Sequence, residues 1–154
     1  MRSKSPLALM EQIVMVLVFA LAAALCLRVF VFSELASARN EAVDRAVLEC
    51  QSAAEFLKST GLSVNEAQAE LADRMGGTVS QGLLQVCYDE EWNVIPGDGD
   101  DCMYVLEVQG RPAEVEGLMK AHVCVAALED IGVGGNGERL FAVDVAWQEV
   151  SGHE

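Results

Sequence analysis

Three patterns of hydrophobic and polar positions succeed one another along this chain. The first is a near-unbroken apolar run from Ile13 to Phe32, rich in Ala, Val, Leu and Phe, with one charge, Arg28. Twenty helical residues at about 1.5 Å each reach roughly 30 Å, the thickness of a bilayer's hydrocarbon core. Extending that helix back to Leu7 places a carboxylate, Glu11, within its first turns. The pattern predicts a transmembrane helix over residues 7–32, behind a short basic leader at residues 1–6.

From Ser33 the apolar positions become periodic. Leu35, Ala42, Val43, Ala46, Val47, Cys50, Ala53, Ala54 and Leu57 recur at i, i+3, i+4 spacing, and Arg39, Glu41, Arg45 and Glu55 occupy the opposite positions. That is the stripe of a helix with one buried face. Neither Pro nor Gly interrupts the stretch from Leu7 to Thr60. The prediction is therefore one long helix, with residues 33–60 its amphipathic continuation and Gly61 its end.

Residues 61–154 are expected to form a short helix and an antiparallel sheet. Ser63-Val64-Asn65-Glu66 has the form of a capping box, opening a helix that stops at Gly76-Gly77. Beyond it the period changes to two. GLLQVCYDE, CMYVLEVQ, GLMKAHVCVAAL and ERLFAVDVAWQEV read as four strands, separated by turn-forming segments. Short connections imply antiparallel neighbours. In the last strand Phe141, Val143, Val145 and Trp147 share one face, and the amphipathic helix is the natural cover for it. The fold class is α+β: a long N-terminal helix packed on a roughly four-stranded antiparallel sheet.

Charge adds a direction. Arg2 and Lys4 precede the apolar run, whereas Glu34, Glu41 and Asp44 follow it. The positive-inside tendency predicts a cytoplasmic N-terminus and an extracytoplasmic C-terminal domain, in a single-pass membrane protein. From Ser33 onward 23 acidic residues stand against 7 basic ones, a net charge of −16. Such a balance argues against nucleic acid as a partner. A removable signal peptide is the other reading of the N-terminus, with Ala22-Ala23-Ala24 as an AxA-like site. The length of the apolar run and the presence of Glu11 favour a retained helix. Leu25 is too large for the position before a lipidated Cys26.

Candidate chemistry is sparse. Cys87 and Cys102 flank the same acidic loop and are the candidate disulfide; burial of all the cysteines as small apolar side chains is the alternative. Asp98, Asp100 and Asp101 are a weak calcium candidate, because the stretch lacks EF-hand spacing. Gly132-Val133-Gly134-Gly135-Asn136-Gly137 matches GxGxxG literally, but a strand follows it where a nucleotide loop needs a helix. It reads as a hairpin loop. His122 and Cys124 share a strand face without the spacing of a nucleophile and its base. No catalytic role, metal or cofactor is expected.

Glu11 remains to be placed. It is an interfacial residue at the margin of the helix, or a buried carboxylate paired with a cation from a partner, or part of a known motif. Ala8-Leu9-Met10-Glu11-Gln12-Ile13-Val14 resembles the N-terminal pattern of type IV pilins and type II secretion pseudopilins, with Leu7 as the first mature residue and Glu11 the fifth. The order of one long helix and then a sheet is also similar to that family. The resemblance implies a non-enzymatic subunit that assembles through its N-terminal helix with other pilin-like subunits, Glu11 neutralising a neighbour's N-terminal amine. The chain departs from the family at Pro6, where the leader peptidase expects glycine, and near Arg28, where the family's helix-kinking proline falls.

Overall fold

The computed structural model describes residues 5–96, 101–128 and 138–150, with side chains from Leu9 onward. Two compact units make up the chain, Met1–Ala38 and Arg39–Glu154. Helix α1 (Ser5–Thr60) is unbroken over 56 residues, as the absence of Pro and Gly predicts. In the first unit its apolar side chains lie bare: Leu9, Ile13, Leu17, Phe19, Leu25 and Phe30 are each more than half exposed. By length and composition this helix is able to cross a membrane.

The second unit begins with the amphipathic part of α1. Ala42, Ala46, Cys50, Ala53, Ala54 and Leu57 are buried in the core, on the stripe read from the sequence. Leu35, the first residue of that stripe, is exposed; burial begins at Ala42. Five of the six buried positions carry side chains no larger than cysteine. The larger Leu57 lies at the end of this row.

Gly61 ends α1 in the left-handed conformation, at φ 61°. A side chain there would also meet Val150 Cγ2 at 2.9 Å. Helix α2 (Val64–Met75) follows and closes at Gly76, φ 72°, with the Gly77 amide donating to the Ala72 carbonyl. The expected capping box takes a different form. The Ser63 hydroxyl donates to the Glu66 carboxylate at 2.7 Å and makes no bond to the backbone.

Six strands are present among the described residues: β1 (Thr78–Ser80), β2 (Leu83–Tyr88), β3 (Val94–Ile95), β4 (Tyr104–Arg111), β5 (Leu118–Ala127) and β6 (Arg139–Gln148). The long strands β2, β4, β5 and β6 are the four expected from the sequence. They form an antiparallel meander in chain order, and the short β1 and β3 both pair with β2. Those two were not anticipated, because two or three residues are too few to display a period.

Alternation sorts the side chains into two faces. Leu84, Val86, Leu106, Val108, Val123, Val125, Val145 and Trp147 point into the core, beneath α2 and the buried part of α1. Gln68 of α2 is the buried polar side chain of this core. Its Nε2 donates to Val108 O at 2.8 Å and Gly82 O at 3.1 Å, pinning α2 to β4 and to the β1–β2 turn. Its Oε1 has no partner.

At the other end of the core, Trp92 stacks on Tyr104 with ring centroids 4.2 Å apart. Three contacts hold β6 to the end of α1. Trp147 Nε1 donates to Leu62 O at 2.8 Å, Val150 N donates to Gly61 O at 2.8 Å, and the Gly61 surface packs on Val150.

Substituting Ala46→Leu tests the packing of the α1 stripe in the core. The side chain is fully buried, and overpacking a filled site costs about 1–3 kcal/mol. Urea unfolding of the variant in detergent micelles is expected to show that loss. Leu48→Ala, on the exposed side of the same helix, is expected to leave stability nearly unchanged.

Candidate functional site

Two regions carry the chemistry singled out in the sequence: the bare segment of α1 and the outer face of the sheet. Glu11 lies on α1 with its side chain exposed, surrounded along the helix by the exposed apolar residues Met10, Ile13, Val14 and Met15. Among the described residues no ion pair involves it. Arg28 is exposed on the same helix, 17 residues and therefore about 25 Å further along the axis. The two charges of the segment are too far apart to pair within one helix.

The acidic end of the sheet is organised by Asp89. Its Oδ1 accepts from the backbone N–H groups of Asn93 at 2.8 Å and Glu91 at 2.9 Å, and its Oδ2 accepts from Asn93 Nδ2 at 3.0 Å. These donors hold the Asp89 carboxyl below its ordinary pKa, the Asn93 side chain most of all. The carboxylate is occupied in shaping the turn between β2 and β3. Asp98 and Asp100, two of the calcium candidates, lie outside the described residues, as does the glycine-rich stretch 132–137. Asp101 is exposed in a turn before β4. Among the described residues no group of three or more metal-ligating side chains is assembled.

The two cysteines of the candidate disulfide stand at different heights beside the β2–β4 pair. Cys87 is a thiol on β2, directly opposite Val105 of β4. Cys102 lies three residues before Val105, ahead of the start of β4. The Cys102 thiol donates to Tyr104 O at 3.4 Å. What the sequence conceals here is register: both cysteines flank one loop, yet they are offset along the ladder. Cys50 follows the other reading. Burial among the core residues, with smaller contributions from Cys124 and Glu49, raises its thiol to about 12.

On the outer face, His122 and Cys124 share a side as expected, and each finds a partner on a neighbouring strand. Cys124 faces the carboxylate of Glu107, whose other oxygen accepts from Gln85. Burial first, then the charge of Glu107, raises the Cys124 thiol, which is the wrong direction for a nucleophile. His122 lies opposite Asp144 of β6, with Nδ1 and Oδ1 2.6 Å apart. The hydrogen bond from His122, its charge and that of Arg111 hold the Asp144 carboxyl below its ordinary pKa.

This pair borders an open groove of about 390 Å³, whose side walls are Arg111, Lys120, His122, Asp144 and Ala146. Sequence reading missed the groove. Its residues are scattered over three strands, and only the register Arg111↔Lys120↔Ala146 brings them into one row. Comparison of the chain with models of known protein families, with curated proteins and with solved structures finds no match.

Two outcomes check these assignments. Iodoacetamide at pH 8 is expected to leave Cys50 unmodified in the folded protein and to label it once the protein is unfolded in urea, as read by peptide mass spectrometry. The second concerns pH. A carboxyl whose folded pKa is depressed contributes stability above its unfolded pKa, and that contribution is lost as pH falls through the folded value. Wild type is therefore expected to be more stable than Asp144→Asn at pH 7, with the gap closing as pH falls below the ordinary carboxylate range. A gap that is constant from pH 7 to pH 2.5 contradicts the pairing.

Proposed function

We propose that this protein is a non-enzymatic pilin-like or pseudopilin-like subunit of a bacterial secretion, competence or pilus-type system. In this reading residues 7–57 carry assembly, in the membrane and then in a filament. The N-terminus is cytoplasmic and the acidic sheet domain extracytoplasmic. Its partners are the membrane and other pilin-like subunits.

The observation that carries the proposal is the division of α1. One helix runs without a break from an apolar segment that the protein leaves bare to a segment packed on an antiparallel meander. A bare apolar segment alone is satisfied by lipid. The carboxylate within it is not, and the arrangement that relieves its cost is a cation supplied by another chain. Pairing of that kind also sets the register between otherwise uniform apolar helices.

A second reading is favoured by the groove on the outer sheet face: a single-pass membrane-anchored extracytoplasmic domain that binds a ligand and joins no filament. Mass spectrometry of the mature N-terminus discriminates the two. Cleavage before Leu7 with a methylated amine supports filament assembly, and an intact Met1, as Pro6 favours, supports a permanent anchor.

Glu11→Ala tests the pairing directly. Removing one member of a buried ion pair costs about 3–5 kcal/mol. Membrane insertion is expected to persist while crosslinking between copies, or to other pilin-like subunits, disappears. Crosslinking at the wild-type level would reduce Glu11 to an interfacial residue.

A further inference from the structure

Arg111 and Lys120 sit directly opposite each other on β4 and β5. Like charges in facing positions cost free energy. Among the described residues neither side chain has a hydrogen bond or an ion pair. Of the other cations of the domain, Arg39 pairs with Glu138 and Arg74 lies over the ring of Phe56, while Arg45, Lys58 and Arg139 likewise form no ion pair among the described residues. What sets Arg111 and Lys120 apart is that they face each other, in a domain with 23 acidic residues from Ser33 onward. Asp144, whose field Arg111 helps to set, is already bound by His122. Glu114 and Glu116 of the β4–β5 connection are exposed and form no ion pair with either cation.

The shape of the surface accompanies the charge. The third residue of the row is Ala146, opposite Lys120. Its methyl group leaves a hollow where a longer side chain would lie, and the result is the groove of about 390 Å³. That volume falls at the lower end of the roughly 300–1,000 Å³ of small-molecule clefts. His122 closes one side, held by Asp144 through Nδ1, so that its other ring nitrogen remains for a further contact.

We propose that this groove binds a small molecule bearing an oxyanion group, a carboxylate or a phosphate. The oxyanion bridges the Arg111 guanidinium and the Lys120 ammonium. The body of the ligand lies over Ala146, with a polar group at His122. The net negative charge of the domain repels anions at long range, so selection rests on the short, charge-assisted hydrogen bonds that a guanidinium fork makes with two oxygens. The site is independent of assembly through α1, and a failure of either proposal leaves the other standing.

The experiment is a ¹⁵N NMR titration of the full-length protein in detergent micelles at constant ionic strength. The probes are succinate, inorganic phosphate and the neutral analogue succinamide. Saturable shifts of the Arg111, Lys120, His122 and Ala146 amides are expected with at least one anion and not with succinamide. Which anion saturates distinguishes a carboxylate ligand from a phosphate ligand. Arg111→Gln with Lys120→Gln is expected to weaken binding by about tenfold or more. Loss of the facing charges is expected to leave thermal unfolding unchanged or raised, and Lys120→Gln alone provides an intermediate affinity. Saturation by neither anion overturns the proposal, as do saturable shifts that the double substitution leaves intact.

Discussion

A sheet with one apolar face has to be covered, and the rest of this structure follows from the way that requirement is met. The meander of β2, β4, β5 and β6 turns valine, leucine and tryptophan side chains to one side and glutamine, glutamate, histidine and arginine to the other. The cover is a row of alanines and one cysteine on α1, completed by Leu57 and by α2. Because those side chains are small, no one of them contributes much area, and the contact is spread along the helix from Ala42 to Leu57. Dispersion falls steeply with distance, so such an interface tolerates little change in volume. The same helix, a few turns earlier, carries exposed apolar side chains. Among the described residues Leu9 to Phe32 are bare, an apolar surface long enough to cross a membrane.

Much of this was legible in the sequence because it depends on period alone. The unbroken α1, the stripe from Ala42 to Leu57, the end at Gly61 and the four long strands all announce themselves through spacing and through the conformational limits of glycine and proline. What depends on register did not. Nothing in the sequence says that Cys87 faces Val105 and not Cys102, or that His122 meets Asp144. Alternation tells which face a residue takes but not which residue lies beside it. Leu35 shows the complementary error: it satisfies the helical period, yet it is exposed. The strands β1 and β3 are stabilised by β2 and carry no pattern of their own.

Polar groups within apolar surroundings have opposite fates in the two units. Gln68 is enclosed and shares its amide hydrogens between two carbonyls, at the cost of an unpartnered oxygen. That cost is accepted where one side chain ties a helix to two different parts of the sheet. Glu11 is not enclosed by the described residues at all. The first polar group specifies how the domain packs on itself; the second bears on what the helix packs against.

The contacts of β6 with the end of α1 bear on when this domain is able to form. The alanine stripe is synthesised early, whereas Trp147 and Val150, which bind Leu62 and Gly61, emerge some ninety residues later. Until β6 is made, the helix keeps its apolar stripe uncovered and the sheet lacks an edge. Closure of a loop that long slows folding more than it lowers stability. A chain whose first helix is able by length and composition to cross a membrane thus completes its domain only after nearly all of it has been made. During that interval the apolar surface of the unfinished domain is open to other contacts.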